Sequence, residues 1–169
     1  MSAIAKKVCL IGDFNVGKTS LIRRFVENKF SDRYLTTIGV KISRKSLVVE
    51  SKGQVNLLIW DIEGRTKEKS ISTSYMEGAH GAIIVGDLSR IDTLEQIDKH
   101  LESFQQINPQ GKTAIALNKS DLLTAEELNR LIEIYSFGDR EQVLQTRSTS
   151  AKTGAAVEQI FQQLASSLI

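Results

Sequence analysis

The sequence contains very little of the residues on which several classes of protein depend. Cys9 is its one cysteine, so no disulfide can form within the chain, and histidine occurs only as His80 and His100. These counts exclude a disulfide scaffold and argue against a histidine metal site. No apolar run approaches the length of about 20 residues that a membrane-spanning helix needs. The 22 basic and 20 acidic residues leave a net charge of +2, which gives no electrostatic case for binding nucleic acid or an anionic membrane.

The single cysteine and the N-terminal residues indicate the cellular compartment of the protein. The lone cysteine lies in an apolar run, which is typical of a small core residue, and suits a reducing compartment. The N-terminus enters a strand pattern at once and does not form the charged and apolar regions of a signal peptide. We therefore expect a cytoplasmic protein.

What the sequence has instead is an alternation of short apolar runs with amphipathic segments. At 169 residues it suits one compact domain, residues 1–169. Runs that are apolar at successive positions are typical of strands buried on both faces of a parallel sheet. Such runs occur at residues 8–11, 57–60, 82–85 and 113–117. The pattern predicts a doubly wound α/β fold, in which ligands bind at the carboxyl ends of the strands.

Three helices are predicted from apolar residues that recur every three or four positions. Asp92 and Glu95 resemble a capping box at the start of the first of them, and Thr124 and Glu127 open the second. The three apolar stripes are Ile91, Leu94, Ile97, Leu101 and Phe104; Leu128, Leu131, Ile132 and Tyr135; and Val157, Ile160, Phe161, Leu164 and Leu168.

A hairpin is predicted in the first third of the chain. Residues 40–49 have a strand pattern that is more polar than the other runs, and a turn around Lys52-Gly53 leads into the next strand. We therefore expect one antiparallel strand at an edge of the sheet.

Residues 12–19, GDFNVGKT, match the phosphate-binding pattern G-x-x-x-x-G-K-[ST] between a predicted strand and a predicted helix. Glycines let the backbone wrap around the phosphates, while main-chain N–H groups and the helix N-terminus attract negative charge. Lys18 should reach the β- and γ-phosphates, and the Thr19 hydroxyl should bind magnesium. An ordinary Gly-rich turn is the less favoured alternative, given the strand–loop–helix context. The other P-loop residues assigned to the nucleotide are Asp13, Phe14, Asn15, Val16, Gly17 and Ser20.

Residues 118–121, NKSD, follow directly after a predicted buried strand. In this position they resemble the guanine-binding N-K-x-D element of the Ras superfamily of small GTPases. A carboxylate at Asp121 can accept hydrogen bonds from guanine N1–H and the 2-amino group, a donor pair that adenine lacks. The resemblance implies that Asn118 ties the base loop to the P-loop and that the stem of Lys119 covers the ring.

Two further segments resemble parts of the guanine site in this family. Ser150, Ala151 and Lys152 are similar to the S-A-K element that contacts the base from its other side. Phe30 stands where the family has an aromatic residue against the edge of the base, although simple core packing is an alternative for it.

Two more motifs resemble the loops that contact magnesium and the γ-phosphate in this family. In the D-x-x-G element, Asp61 would hold magnesium through water and the Gly64 N–H would meet the γ-phosphate. Thr37, ahead of an Ile-Gly pair as in the first switch, would be a second magnesium ligand besides Thr19. Tyr34 would close over the phosphates, or else be an ordinary surface residue. The predicted cofactors are GTP or GDP and Mg²⁺, which prefers hard oxygen ligands.

The resemblance extends from about Lys6 to Leu168 and includes every nucleotide-binding element in order. It implies a P-loop fold with a six-stranded, mostly parallel sheet, one antiparallel edge strand and about five flanking helices. The Thr-Ile-Gly run and the Trp60-Asp61 pair are most similar to the Rab branch. Trp60 resembles a residue through which Rab proteins contact effectors, although a buried tryptophan at a strand end is nearly as good an interpretation.

The sequence departs from the family at the residue after the D-x-x-G glycine. Hydrolysis requires a positioned water molecule and stabilisation of the charge that develops on the γ-phosphate. The family usually has a Gln here that orients the water, and this chain has Arg65. Arginine cannot hold the water as Gln does, although its charge could stabilise the transition state if it folded inward. The candidate catalytic residues are Lys18, Thr37, Gly64 and Arg65.

Three other departures surround the same phosphate. Glu63 replaces a small residue, and its carboxylate should repel the γ-phosphate unless Arg65 or another cation pairs with it. Phe14 could block an incoming arginine, whereas Asn15 need not disturb the loop, because Asn tolerates unusual backbone angles. The motifs therefore predict nucleotide binding more firmly than turnover.

Rab proteins usually end in a tail with prenylated cysteines, and this sequence ends Ser-Ser-Leu-Ile. We expect no direct membrane anchor made by the chain itself. Either a tail lies outside this sequence, or the protein is a non-lipidated relative such as those found in prokaryotes.

Two functional hypotheses follow. The first is a slow GTPase and two-state switch, a monomer by default, that meets effector, GTPase-activating and nucleotide-exchange proteins through loops 31–40 and 62–78. The second is a GTP-binding interaction module that hardly hydrolyses. Arg65, Glu63 and Phe14 favour the second, and the magnesium ligands Thr19 and Thr37 favour the first. Base readout and the lack of an evident acceptor pocket argue against a phosphotransferase.

Overall fold

Strands and helices alternate along the chain, as the sequence pattern predicts. The computed structural model describes residues 3–34 and 36–169; Met1, Ser2 and Leu35, which belongs to the first predicted switch loop, lie outside the described residues. The strands are β1 (Ile4–Gly12), β2 (Val40–Val49), β3 (Gly53–Ile62), β4 (Gly81–Asp87), β5 (Lys112–Asn118) and β6 (Val143–Ser148). The α-helices are α1 (Lys18–Glu27), α2 (Ile91–Glu95), α3 (Ile97–Ile107), α4 (Ala125–Ile134) and α5 (Val157–Ser167). Short 3₁₀ turns occur at Thr73–Met76 and Ser120–Leu122.

The strands form one sheet in the order β2-β3-β1-β4-β5-β6. β2 runs antiparallel to β3, and the other neighbouring pairs are parallel. The predicted antiparallel edge strand is therefore confirmed as β2. The turn of the hairpin contains Ser51 and Gly53 with φ of 63° and 106°, a left-handed conformation that glycine adopts without strain.

The core lies on both faces of the sheet. Successive residues of a strand point to opposite faces, so Val8 packs in the cluster with α1 and α5, while Cys9 packs in the cluster with α3. This double burial explains why the strand runs are apolar at successive positions. On the first face Phe25 of α1 stacks on Phe161 of α5, with ring centroids 4.1 Å apart.

One predicted helix start is confirmed and one is wrong. Thr124 caps α4 by accepting a hydrogen bond from the Glu127 N–H, while the Glu127 carboxylate accepts one from the Thr124 N–H. The capping box predicted at Asp92 and Glu95 does not form, because α2 begins at Ile91 and so places Asp92 inside its first turn. The apolar stripe that follows is divided between α2 and α3.

The fold brings the nucleotide motifs to one edge of the sheet. The P-loop follows β1, the D-x-x-G element ends β3, and the N-K-x-D element begins at the end of β5. These three strands are parallel, so their carboxyl ends lie at the same edge of the sheet. In the sheet order β3 and β4 lie on opposite sides of β1, and ligands of such folds bind at this kind of position. None of the described helices is long and apolar enough to cross a membrane.

Candidate nucleotide-binding site

The P-loop turns sharply between β1 and α1. Asn15 and Gly17 have φ of 60° and 102°, both in the left-handed region that Asn tolerates and Gly favours. A Cβ added at Gly17 would collide with the side-chain amide of Asn118, so this glycine also permits a close approach of the base loop. The uncommon Asn15 is compatible with the geometry of the loop, as expected.

Lys18 is buried at the start of α1 and lies against the P-loop. Its Nζ donates hydrogen bonds to the main-chain oxygens of Gly12 (3.3 Å) and Asp13 (2.9 Å). Burial lowers the pKa of Lys18 to about 8, and the nearby carboxylates of Asp61 and Asp13 partly oppose this effect. An ammonium group has three donors. The loop uses two of them, so a phosphate oxygen fits as the third acceptor and would favour the charged form.

Three side-chain oxygens converge beside Lys18. The Thr19 hydroxyl lies 2.9 Å from the Thr37 hydroxyl and 2.5 Å from Oδ2 of Asp61, and the Thr37 hydroxyl lies 3.3 Å from the same Oδ2. Oδ1 of Asp61 is buried and has no hydrogen-bond partner within the described part of the chain. Burial raises the pKa of Asp61, although hydrogen bonds from both threonines oppose this effect. A divalent cation would favour the charged carboxylate.

The donor set fits magnesium better than a softer metal. Two hydroxyls and one carboxylate are hard ligands that leave positions for phosphate oxygens and water. Among residues 3–34 and 36–169, no cluster of three or more His, Cys, Asp or Glu side chains could hold a metal ion. Because the two hydroxyls and the carboxylate leave coordination positions open, the donor set suits a magnesium ion that also binds phosphate oxygens.

The base loops form the other end of the site. Nδ2 of Asn118 donates a hydrogen bond to the main-chain oxygen of Val16 (3.0 Å), which is the link between base loop and P-loop that the resemblance implies. The Thr149 hydroxyl donates to Oδ1 of the same Asn118 (3.1 Å). The Ser150 hydroxyl donates to Oδ1 of Asp121 (2.7 Å) and so orients the carboxylate. In this arrangement the Ser150 side chain acts through Asp121.

These elements surround a cavity of about 260 Å³. The predicted nucleotide and metal residues that line it are Phe14, Asn15, Gly17, Lys18, Thr19, Ser20, Phe30, Tyr34, Thr37, Gly64, Asn118, Lys119, Asp121, Ala151 and Lys152. Those that are not part of the lining are Asp13, Val16, Asp61, Arg65 and Ser150. Phe30 both lines the cavity and packs against the core, so its two interpretations are compatible.

An aromatic pair lines the cavity beside the P-loop. Phe14 and Tyr34 meet edge to face with ring centroids 5.3 Å apart, and both are partly exposed, at 39% and 47%. The Phe14 side chain therefore lines the cavity beside the first predicted switch loop.

Glu63 is turned away from the phosphate end. Its Oε2 accepts hydrogen bonds from Nζ of Lys69 (2.8 Å) and from the main-chain N–H of Gly39 (3.1 Å), and these bonds lower the pKa of Glu63. Its own N–H donates to the Gly39 oxygen (2.8 Å). A cation other than Arg65 thus pairs with this carboxylate, and Glu63 connects the two predicted switch loops.

Arg65 also points away from the cavity. Its Nε and Nη2 donate to Oδ1 (2.9 Å) and Oδ2 (2.8 Å) of Asp13, which is a bidentate ion pair. In this structure Asp13 is therefore a partner of Arg65, whereas the sequence motifs predict nucleotide binding for Asp13 and catalysis for Arg65.

Several residues that support the site were not predicted from the sequence. Asp87, buried at the end of β4, accepts from Nζ of Lys119 (2.8 Å) and from Nε of Arg90 (3.0 Å). Burial would raise the pKa of Asp87, but these hydrogen bonds and those from Ser89 lower it. Arg90 in turn donates from Nη2 to the Phe14 main-chain oxygen (2.7 Å). The sequence did contain one signal for this role, because Asp87 ends an apolar strand and a buried carboxylate needs hydrogen-bond partners.

Sequence comparison shows which known proteins the chain is similar to. The sequence model of the Ras family matches residues 7–169. The chain is 36% identical to the Ras-related protein Rab-1C of Dictyostelium discoideum, over 96% of this chain and 80% of that protein. It is 34% identical to Rab-13 of Rattus norvegicus, over 96% of this chain and 79% of that protein. It is 36% identical to RABF2a of Arabidopsis thaliana, over 98% of this chain and 82% of that protein.

Proposed function

Because the chain belongs to the Ras family and is similar to Rab proteins, we propose that it is a GTP- and GDP-binding switch with slow intrinsic GTP hydrolysis. The observation that carries the proposal is the arrangement around a single cavity. The buried Lys18 and the three oxygens of Thr19, Thr37 and Asp61 lie at one end, and the oriented carboxylate of Asp121 lies at the other. We further propose one GTP-binding domain that works as a monomer in the cytoplasm.

Each part of the cavity has a separate role in binding. Lys18 and the P-loop amides hold the phosphates, while Asp121 accepts hydrogen bonds from guanine. Thr19, Thr37 and Asp61 would hold magnesium, Asp61 through water. The metal supplies neutralisation of the phosphate charge when it is bound. A base without guanine's donor pair would leave Asp121 unpaired, which disfavours adenine nucleotides.

Hydrolysis is slow in this proposal because the chain lacks a group that positions water. Arg65 replaces the usual Gln and is paired with Asp13. An activating protein would supply the missing groups. Loss of the γ-phosphate would remove its contacts with Thr37 and Gly64, which changes the switch loops that effector and exchange proteins recognise.

The second candidate is a GTP-binding interaction module with little or no hydrolysis. The bidentate Arg65–Asp13 pair favours this candidate, because it withdraws the arginine whose charge could otherwise stabilise the transition state. The Phe14 side chain, which narrows the approach to the phosphates, favours it as well.

Single-turnover conversion of GTP to GDP, with magnesium and without a partner, tests the proposal. We expect slow, measurable conversion that is lost in Lys18→Ala and Asp61→Ala. Lys99→Ala, an exposed lysine of α3 remote from the cavity, is the matched control. Retention of GTP over many hours by the wild type would favour the interaction module, and failure to load guanine nucleotides would exclude both candidates.

Arg65→Gln separates the two candidates further. If the remaining machinery is intact, this variant hydrolyses GTP faster than the wild type. An unchanged rate would instead indicate that Phe14, which lines the cavity, blocks turnover, because Glu63 is paired with Lys69 outside the lining.

A further inference from the structure

The ion pair between Arg65 and Asp13 is one half of a larger contact. Nε2 of His100, on α3, lies 2.8 Å from Oδ1 of Asp13, on the side of the carboxylate where Nε of Arg65 also donates. Three parts of the fold therefore meet at one carboxylate: the P-loop, the start of the second switch loop, and α3. We call Asp13, Arg65 and His100 the P-loop latch.

The latch is buried except for part of the Arg65 side chain. Asp13 and His100 are each only 5% exposed, whereas the Arg65 side chain is 31% exposed. Burial alone would raise the pKa of Asp13, but hydrogen bonds from His100 and Arg65 outweigh it and lower the pKa to about 2. A buried, bidentate and charge-assisted contact of this kind is costly to break on one side, because the carboxylate is then left underpaired.

Main-chain hydrogen bonds join the same segments. The Phe14 N–H donates to the Arg65 oxygen (2.9 Å), and the Arg65 N–H donates to the Gly12 oxygen (3.2 Å). This short parallel bridge brings Gly64 so close that an added Cβ would lie 2.7 Å from the Phe14 nitrogen and 2.8 Å from Nζ of Lys18. The start of the second switch loop is thus docked on the P-loop by backbone as well as by side chains.

On the basis of the function proposed above, we propose that Asp13 and His100 are positioning residues that hold Arg65 out of the nucleotide cavity and keep residues 64 and 65 docked on the P-loop in both the GDP and the GTP state. Asp13 binds the guanidinium, and His100 fixes Asp13. The latch makes no contact that depends on a γ-phosphate, since its three members are absent from the cavity lining among the described residues. Gly64 would therefore lose its γ-phosphate contact without leaving the P-loop, and the nucleotide-dependent movement is confined to the first switch loop and to the residues after Arg65.

Hydrogen exchange at the Arg65 amide tests this inference, because that amide bonds to the P-loop only while the segment is docked. In the wild type, exchange is expected to agree within about twofold between the magnesium–GDP form and a form loaded with a non-hydrolysable GTP analogue. Asp13→Asn and His100→Leu are expected to accelerate it about tenfold or more. His100→Gln keeps a side-chain N–H donor and should restore most of the protection.

Two controls separate positioning from a general loss of structure. Asp98 lies on the same helix as His100 and forms an exposed ion pair with Arg140. Asp98→Asn breaks that pair and should leave the Arg65 amide unaffected. In an Arg65→Gln background His100→Leu should add little, because His100 acts through Asp13 on the arginine. If His100→Leu does not fold, the comparison of His100→Gln with Asp13→Asn decides the question.

Two results would overturn the inference. One is wild-type exchange at Arg65 that is more than about tenfold faster with GDP than with the GTP analogue. The other is an effect of His100→Leu that is undiminished in the Arg65→Gln background. Failure of the wild type to load GTP would contradict the proposed function, yet the latch is still tested in the GDP-bound or nucleotide-free protein.

Discussion

Arg24 should control how long the protein retains guanine nucleotide, although it does not touch the nucleotide cavity. From α1 its guanidinium donates through Nε to the Ala151 oxygen (2.8 Å) and through Nη2 to the Lys152 oxygen (2.5 Å). A third bond, from Nη1, reaches Oδ1 of Asn28 (3.2 Å). The fork thereby fixes the second base loop to α1. Without the Arg24 guanidinium, the loop that contains Ala151 and Lys152 becomes ordered only when nucleotide binds, and this ordering reduces the binding free energy.

The size of the effect follows from the number and the exposure of these bonds. A hydrogen bond to a charged group contributes about 1.5–3 kcal/mol. Arg24 is half-buried, so water replaces part of each bond in the Arg24→Ala variant, and we take about 1.5–2 kcal/mol for the pair of bonds to the base loop. That free energy corresponds to about a 10- to 30-fold weaker affinity for GDP.

The release rate of a fluorescent GDP analogue measures this effect. Arg24→Ala should release it about 10 to 30 times faster than the wild type. Arg24→Lys, which offers a point charge and no planar fork, should fall between the two. Arg130→Ala, an exposed arginine of α4, is the matched control. Release from folded Arg24→Ala within about twofold of the wild type would refute the reasoning, since about 1.5 kcal/mol corresponds to more than tenfold.

Three further predictions concern the metal residues, pH dependence and the cysteine. Thr19→Val removes one of the three converging oxygens, so about tenfold or more magnesium should be needed to retain nucleotide. A magnesium titration in the nucleotide-release assay measures this concentration. If it is unchanged, Thr19 is not a magnesium ligand. The depressed pKa of Asp13, about 2 against an ordinary 3.8, means that its carboxylate contributes stability above about pH 4 that is lost as the pH falls toward 2. At neutral pH the wild type should exceed Asp13→Asn in free energy of unfolding by about 2 kcal/mol, and this difference should shrink between about pH 4 and pH 2. Urea titrations measure it. A difference that does not depend on pH would refute the prediction. Burial raises the pKa of Cys9 to about 12, so a thiol reagent at about pH 8 should label it only when the protein unfolds; rapid labelling of the native protein would show that the thiol is accessible.

The parts of the fold and of the site that depend on local residue patterns could be predicted from the sequence. Strands buried on both faces must be apolar at successive positions, so the central strands were visible as apolar runs. The P-loop and the Asn118–Val16 link depend on residue types at fixed spacing, which a motif records directly. The failed capping box at Asp92 shows the limit, because the helix start depends on how the chain leaves β4 and not on the four residues alone.

The partners of the atypical residues could not be predicted, because the fold of the loops selects them and no motif spacing records them. Glu63 pairs with Lys69 and with the main chain of Gly39, and Arg65 pairs with Asp13, 52 residues earlier. His100 offered one unused signal. It lies three residues after Ile97 and four before Phe104, so helical periodicity places it on the buried face. A polar side chain there requires a partner, but the sequence does not say which.

Asp87 has a consequence for the way in which the nucleotide can leave. Its carboxylate accepts from Lys119, in the loop proposed to bind guanine, and from Arg90, which donates to the P-loop at Phe14. In the proposed function, Asp87 therefore connects the residues that bind the base with those that bind the phosphates. An exchange protein that displaces either loop would then weaken nucleotide binding at both ends of the cavity.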